Sequence, residues 1–316
     1  MRTIDVAGLR TSVIGLGTWQ FGSREWGYGD AYATQTAPAL VRRALELGIT
    51  MIDTAELYAF GRSERIIGGT LASVEPERLT GITVATKFMP IMPAEPVVAW
   101  QASGSRRRLG TGVLDLYYVH WPNPLVSVGR TLQSVRPLVE AGLVRRVGVS
   151  NYSVDQWRAA ERALRRPVVA NQVQLSLVSP GPARDVVRFA AEHGRLVVAY
   201  SPLGQGLLSH ERPPDRAPAG VRAMNPYFRA RGRSRLGPLL DAVHEIAHAH
   251  DATPAQVALA WVIGHPNTIA IPGARTIEQL EENAAAGDLV LTVDEHARLT
   301  GDAEILATGM GRARRR

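Results

Sequence analysis

Six short apolar runs in this chain each end on a side chain capable of chemistry: Asp53, Lys87, His120, Ser150, Gln172 and Tyr200. Tyr58 joins them, five positions beyond Asp53 in the segment DTAELYAFGRSE. The set holds a carboxylate and an ammonium that can pair, and a phenol and an imidazole that can donate a proton or a hydrogen bond. Taken singly, none is decisive. A strand-end Lys or Asp is usually solvated or paired, Ser150-Asn151 could cap a helix before Val154, and Gln172 could be a satisfied strand amide. Together they need a common explanation, because an ordinary core does not finish run after run with polar groups.

The elements that would position them alternate. Short β-branched runs (Val13–Gly17, Met51–Thr54, Thr83–Lys87, Leu114–His120, Val147–Ser150, Val169–Gln172, Leu196–Tyr200 and Thr268–Ile271) are separated by helical patterns such as Ala37–Leu47, Ser63–Leu71, Thr131–Ala141, Val154–Leu164, Arg184–His193 and Leu239–His250. Alternation of this kind belongs to parallel βα units. Eight of them predict an α/β fold, a closed (β/α)8 TIM barrel whose strand ends converge on one mouth. Thr3–Ser12, with Ala7-Gly8 at its centre, reads as a β-hairpin, and residues 1–12 are expected to plug the bottom of the barrel. Ser103-Gly104-Ser105 weakens the third helix. From Ser201 to Arg235 the chain is rich in Pro, Gly and Arg without a hydrophobic period, which predicts a long, lid-like loop after the seventh strand. Helical stretches Pro254–Gly264 and Val293–Thr300 flank the eighth strand. A single domain over residues 1–316 is expected, with 309–316 a disordered basic tail.

Composition narrows the function classes. With no cysteine the chain has no disulfide framework, thiolate nucleophile or cysteine-bound metal. Its 36 Lys+Arg against 29 Asp+Glu are spread over many segments, so a solvated surface is favoured over nucleic-acid binding. The start of the chain lacks a secretory pattern and no stretch is long and apolar enough for a bilayer, so a cytoplasmic protein without membrane partners is expected.

Read in order, GITMIDTAELYAFGRSERIIG, VATKF, DLYYVHWP, VGVSNYS, NQVQLS, AYSPLGQGLL and IPGARTIEQLEENAAA resemble the aldo-keto reductase superfamily essentially from end to end. The branch most resembled is the bacterial group related to potassium-channel β subunits. The resemblance implies reduction of an aldehyde or ketone, with Tyr58 as proton donor, Lys87 as the cation that stabilises its phenolate, Asp53 as the ion-pair partner of Lys87, and neutral His120 orienting the carbonyl. Ala59 stands where the family often has Gly, a departure that leaves these roles intact.

A hydride source is then required. The chain has no metal motif, flavin signature or GxGxxG opening a βαβ unit, so the resemblance points to nicotinamide at the barrel mouth. It implies that Gly17, Thr18, Trp19 and Asp53 border the cofactor, that Ser150, Asn151 and Gln172 bind its carboxamide, and that Tyr200 stacks on its ring. Ser201, Pro202, Leu203, Gly204, Gln205 and Gly206 would wrap the pyrophosphate. Ile271, Gly273, Arg275, Gln279, Glu282 and Asn283 would hold the adenosine end. A guanidinium at Arg275 suits a 2′-phosphate, which favours NADPH, although Arg275 could instead pair with Glu278 or Glu282. The substrate pocket is expected to be walled by Trp19, Trp26, Tyr58, Phe88, His120, Trp121 and Tyr227, with Asn225, Pro226 and Phe228 nearby, selecting a small-molecule carbonyl by size and shape. No metal is expected, and family barrels of this length are often monomers or weak oligomers.

Two other readings compete. Barrel aldolases and isomerases could use Lys87 as a Schiff-base lysine, which would leave Asp53, Tyr58 and the nicotinamide motifs idle. An NADPH-binding sensor or regulatory subunit with little turnover would use the same residues without fast chemistry.

Overall fold

The structure, a computed structural model, describes residues 1–22, 29–209 and 225–313. Trp26, residues 210–224 of the expected lid and residues 314–316 of the expected tail lie outside it.

The chain opens with a hairpin, β1 (Thr3–Val6) and β2 (Leu9–Ser12), paired antiparallel with Val6 opposite Leu9. Ala7 and Gly8 both take positive φ, 55° and 68°, the backbone a two-residue hairpin turn demands. Val6 and Leu9 pack into one buried cluster with Met51, Ala85, Leu116, Ala170 and Leu196. The hairpin therefore closes the N-terminal end of the barrel interior.

Eight parallel strands follow: β3 (Leu16–Gly17), β4 (Met51–Asp53), β5 (Thr83–Phe88), β6 (Leu114–Val119), β7 (Val144–Ser150), β8 (Ala170–Gln174), β9 (Leu196–Tyr200) and β10 (Thr268–Ile271). They pair in chain order, and bridges from Ile14 to Ala270 and from Gly17 to Gly273 join the first to the last. The seam is tight: a Cβ on Gly17 would lie 2.6 Å from the Ile271 carbonyl oxygen. The sheet is thus a closed (β/α)8 barrel.

Side-chain parity organises the barrel, because successive residues of a strand face opposite sides. Met51, Ala85, Leu116, Tyr118, Ala170, Leu196, Val198, Ile269 and Ile271 share the interior cluster. Ile52, Phe88, Tyr117, Val119, Val147, Val149, Val197 and Ala199 lie in the outer cluster under the helices. Continuing the inward parity by two residues along each strand gives Asp53, Lys87, His120, Ser150, Gln172 and Tyr200. The polar strand ends converge for that reason.

The helices are α1 (Ala37–Glu46), α2 (Arg62–Leu71), α3 (Glu95–Leu109), α4 (Val128–Glu140), α5 (Val154–Leu164), α6 (Arg188–Glu192), α7 (Ala230–Ala249), α8 (Pro254–Ile263), α9 (Ile277–Ala285) and α10 (Val293–Ala313). Capping boxes start α5, at Ser153 and Gln156, and α8, at Thr253 and Gln256. Three expectations need correction. The third helix is unbroken through Ser103-Gly104-Ser105, where Gly104 admits the Arg108 side chain against it. The long loop ends at Arg229: α7 begins at Ala230, nine-tenths or more buried at Leu236, Leu239, Leu240, Val243, Ile246 and Ala247 along one face, and keeps Pro238 inside it. The last helix runs to Ala313, into the stretch expected to be a disordered tail. Among the described residues no helix is long and apolar enough to cross a membrane, and no cluster of three or more His, Asp or Glu is placed to hold a metal ion.

Candidate active site

At the C-terminal mouth a cavity of about 610 Å³ runs from Trp19, Leu57, Tyr58, His120 and Trp121 at one end to Arg275, Gln279, Glu282 and Asn283 at the other. Lys87 lies beneath it, fully buried. Its ammonium donates to Asp53 Oδ1 at 2.6 Å, to the Thr54 carbonyl at 2.8 Å and to the Tyr58 hydroxyl at 3.3 Å. Three donors meet three acceptors, so the ammonium is completely satisfied. Asp53 is held from its other side by Gln172 Nε2, 2.7 Å from Oδ2.

The electrostatics follow from burial. Burial penalises the Lys87 ammonium, yet Asp53 and Tyr58 outweigh that and hold it above its ordinary range. Burial pushes the Asp53 carboxyl up, against the pull of Lys87 and Gln172. For Tyr58 burial again dominates: Lys87 lowers the phenol's pKa but the net shift is upward. His120 is moved down to about 3 by burial first and by the nearby Lys87 charge second, so it is neutral around pH 7. Its Nδ1 is buried with no hydrogen-bond partner among the described residues. Ring packing fixes the cluster: Tyr58 lies edge-on to His120 with centroids 5.9 Å apart, and Trp121 lies 4.7 Å from His120.

Tyr58 reaches this position from an unusual turn. Ala59, Phe60 and Gly61 have consecutive positive φ of 48°, 52° and 76°. A side chain with a Cβ in that region is strained, so Ala59 in place of Gly is a backbone cost at this turn rather than a neutral exchange.

Along the rest of the cavity, Ser150, Asn151, Gln172 and Tyr200 line its wall. Asn151 takes φ 61°, its amide accepts from the Tyr200 hydroxyl at 3.0 Å, and Ser150 accepts from Asn151 Nδ2 at 3.1 Å. The cap of α5 is Ser153, so Ser150-Asn151 is not a helix cap. Gly17, Thr18, Ser201, Pro202, Leu203, Gln205, Gly206, Ile271 and Gly273 also face the cavity, whereas Gly204 is buried behind it. At the far end the Gln279 side chain accepts from the Arg275 backbone N–H at 2.9 Å, and Thr276 caps α9. The exposed Arg275 guanidinium makes no ion pair with Glu278, Glu282 or any other described residue. An uncommitted guanidinium beside a helix N-terminus has the charge and donors to hold an anion. The residues present fit an elongated anionic ligand such as a dinucleotide, with Ser150, Asn151, Gln172 and Tyr200 along the cavity wall and Arg275 at its far end.

Two expected pocket residues lie elsewhere. Phe88 is fully buried in the outer core with its ring 5.2 Å from Tyr117, because the residue after an inward Lys87 must face outward. Tyr227 is also buried in that core, beneath α7. Asn225 does approach, its Nδ2 3.2 Å from Gln205 Oε1. Residues missed from sequence include Gln20, whose amide donates to the Gly17 and Ala274 carbonyls, and Leu57, Ser209, Ala255 and Pro272 on the cavity wall.

Comparison with known proteins agrees with this geometry. The Aldo/keto reductase family domain matches residues 13–303. An uncharacterized oxidoreductase of Mycobacterium tuberculosis is 48% identical over 301 residues, covering 95% of this chain and 92% of that protein. Methylglyoxal reductase YeaE of Escherichia coli is 34% identical over 288 residues, 90% of this chain and 89% of that one. The crystal structure of an aldo-keto reductase from Klebsiella pneumoniae in complex with NADPH superposes with a TM-score of 0.76 at 32% identity, covering 94% and 93% of the two chains. On fold, site and family match alike, the chain belongs to the aldo/keto reductase family.

Proposed function

We propose that this protein reduces an aldehyde or ketone to the alcohol with NADPH, and that Tyr58 supplies the proton. One observation carries the reading: the Tyr58 oxygen already accepts a hydrogen bond from Lys87, whose other two hydrogens go to Asp53 and Thr54. The phenol's own O–H is therefore left to point into the cavity.

The dinucleotide, when bound, supplies the hydride for the carbonyl carbon. As negative charge gathers on the carbonyl oxygen, Tyr58 gives up its proton to it, and the ammonium of Lys87 stabilises the phenolate left behind. Burial keeps the phenol a weak acid, so the proton stays put until the oxygen is basic enough to take it. His120 is no rival acid: with its pKa down at about 3 it carries no spare proton at neutral pH and acts as a neutral hydrogen-bonding group beside the carbonyl. Asp53 and Gln172 hold Lys87 in place.

The preference for NADPH rests on Arg275 and on the NADPH-bound relative. Among the described residues, the substrate end, walled by Trp19, Leu57, Tyr58, His120 and Trp121, offers no cation to a carboxylate substrate beyond the paired Lys87, which favours uncharged carbonyls. A relative named as a methylglyoxal reductase supports small dicarbonyls as the first to try. The test is steady-state NADPH oxidation over a panel of uncharged aldehydes, ketones and dicarbonyls. Turnover with several of them supports the reading; tight NADPH binding with no turnover on any would replace it with a nucleotide sensor.

A further inference from the structure

Two carboxylates near the site, one half-buried and one fully buried, have no part in the proposed chemistry. Glu56 precedes Tyr58 by two residues and Glu64 follows it by six. Both reach the strand that carries Lys87. The Glu56 backbone N–H donates to the Lys87 carbonyl at 3.1 Å, and its Oε1 accepts from the Met89 N–H at 2.6 Å and from Gln101 Nε2 at 2.8 Å. Gln101, on α3, also reaches the Met89 carbonyl at 3.1 Å. Glu64, fully buried at the start of α2, accepts from Thr86 Oγ1 at 2.6 Å and from Arg108 Nε at 2.5 Å. The contacts fall on Thr86 and Met89, on either side of Lys87.

Between the two carboxylates the chain makes the turn with positive φ at Ala59, Phe60 and Gly61. The turn is closed by its own backbone bonds, from Tyr58 to Ala55, Phe60 to Leu57, Arg62 to Ala59 and Ser63 to Tyr58, while its side-chain ties to β5 lie at its two ends. We propose that Glu56 is a positioning residue of the reaction: it fastens the Tyr58 loop to the end of β5 and thereby sets the contact between Lys87 and the phenol oxygen, with Glu64 as the opposing anchor. This inference rests on the proposed role of Tyr58. Burial, and secondarily the like charge of Glu64, push the Glu56 carboxyl above its ordinary range, against the pull of the Met89 N–H, Arg108 and Gln101. An amide oxygen at this position would keep the acceptor for the Met89 N–H while dropping the penalised charge.

Glu56→Ala and Glu56→Gln separate the positioning role from simple support. With the anchor removed, Glu56→Ala should lower kcat roughly 10- to 100-fold, since a misplacement of about 1 Å at a reacting group can cost ~100-fold, with KM and NADPH Kd nearly unchanged. Its alkaline limb should move to higher pH, because a more distant ammonium lowers the phenol's pKa less. Glu56→Gln should restore both rate and limb. A rate near wild type in Glu56→Ala, or a loss that follows NADPH affinity and Tm with the limb unmoved, would overturn the proposal. Wild type and Tyr58→Phe assayed alongside keep the two readings apart: turnover lost in Tyr58→Phe but retained with an unmoved limb in Glu56→Ala defeats only the role of Glu56. A crystal structure of Glu56→Ala tests the anchor without any need for turnover. Separation of Lys87 Nζ and the Tyr58 oxygen beyond hydrogen-bonding reach supports the anchor, and an unchanged contact refutes it.

Discussion

Lys87 donates to the oxygen of Tyr58 at 3.3 Å, and its ammonium also sits 5.0 Å from the centre of the same ring. The cation therefore lies beside the hydroxyl, buried away from the cavity. A phenolate formed there is stabilised at once, while the neutral phenol keeps its O–H for a ligand.

Tyr58→Phe removes only the acid. It should lower kcat by roughly 10²- to 10⁴-fold with NADPH Kd near wild type, the usual worth of a positioned proton donor. Lys87→Met should be comparably damaging with a different signature. Lys87 pulls the phenol's pKa down against burial, so its loss should let that pKa rise further and carry the alkaline limb of any residual activity upward. Most activity surviving in Tyr58→Phe would refute the assignment.

The pH dependence separates His120 from Tyr58 and exposes a second half-buried imidazole. With His120 down at about 3, the reduction should show no inflection near pH 6.5 and should fall only at alkaline pH, as Tyr58 ionises above the ordinary phenol range. Stability behaves differently. His265, packed edge-on to Trp261 at 4.7 Å, is lowered to about 4 by burial and then by His296. Its folded pKa lies below its unfolded one, so its contribution is complete above about pH 6.5 and is lost as pH falls toward 4. Between pH 7 and 4.5 the loss should be on the order of 2 kcal/mol, and His265→Leu should remove it from the acid sensitivity measured by urea unfolding. A variant as acid-sensitive as wild type would sink this account.

Parity explains what can be read from the sequence and what cannot. The eight β-branched runs mark the strands to within a few residues, and the polar residue ending six of them points to the mouth. Phe88, expected in the pocket for its adjacency to Lys87, lies on the opposite side because alternation sends neighbours to opposite faces. The first turns of α7 are not legible: Gly232, Gly237 and Pro238 oppose helix locally, and only tertiary contact shows that Gly232 lies where a Cβ would meet the Pro226 carbonyl oxygen. Glu56 leaves no sequence signal, since its role depends on Met89 and Gln101, distant along the chain and part of no motif.

Arg275→Ala tests cofactor choice. An exposed guanidinium that pairs with no carboxylate among the described residues should contribute to binding only through the nucleotide, so its loss should weaken NADPH roughly 10- to 100-fold, the worth of a charge-assisted hydrogen-bonded pair, and leave NADH nearly unchanged. Nucleotide fluorescence titration measures both. Equal weakening of the two cofactors would mean that Arg275 only supports the start of α9.

Adjacent glycines in α2 offer a local test of packing and its reach into the site. Gly69 is exposed with nothing within 4 Å of an added Cβ, so Gly69→Ala should stabilise the protein by about 0.5–1 kcal/mol through helix propensity alone. Gly68 faces the end of α3, where a Cβ would lie 2.5 Å from the Arg108 carbonyl oxygen and 2.7 Å from that of Leu109. Backbone atoms cannot swing aside as a side chain can, so α2 must retreat, and Gly68→Ala should cost about 1–3 kcal/mol despite the better propensity. The retreat would also draw Glu64 from Thr86 and loosen the turn that carries Tyr58. Gly68→Ala should therefore lower kcat as well as the urea midpoint, whereas Gly69→Ala should leave kcat unchanged. Equal stabilities for the two variants would show that α2 and α3 adjust freely against each other, and α2 could not then hold one end of the Tyr58 turn in place.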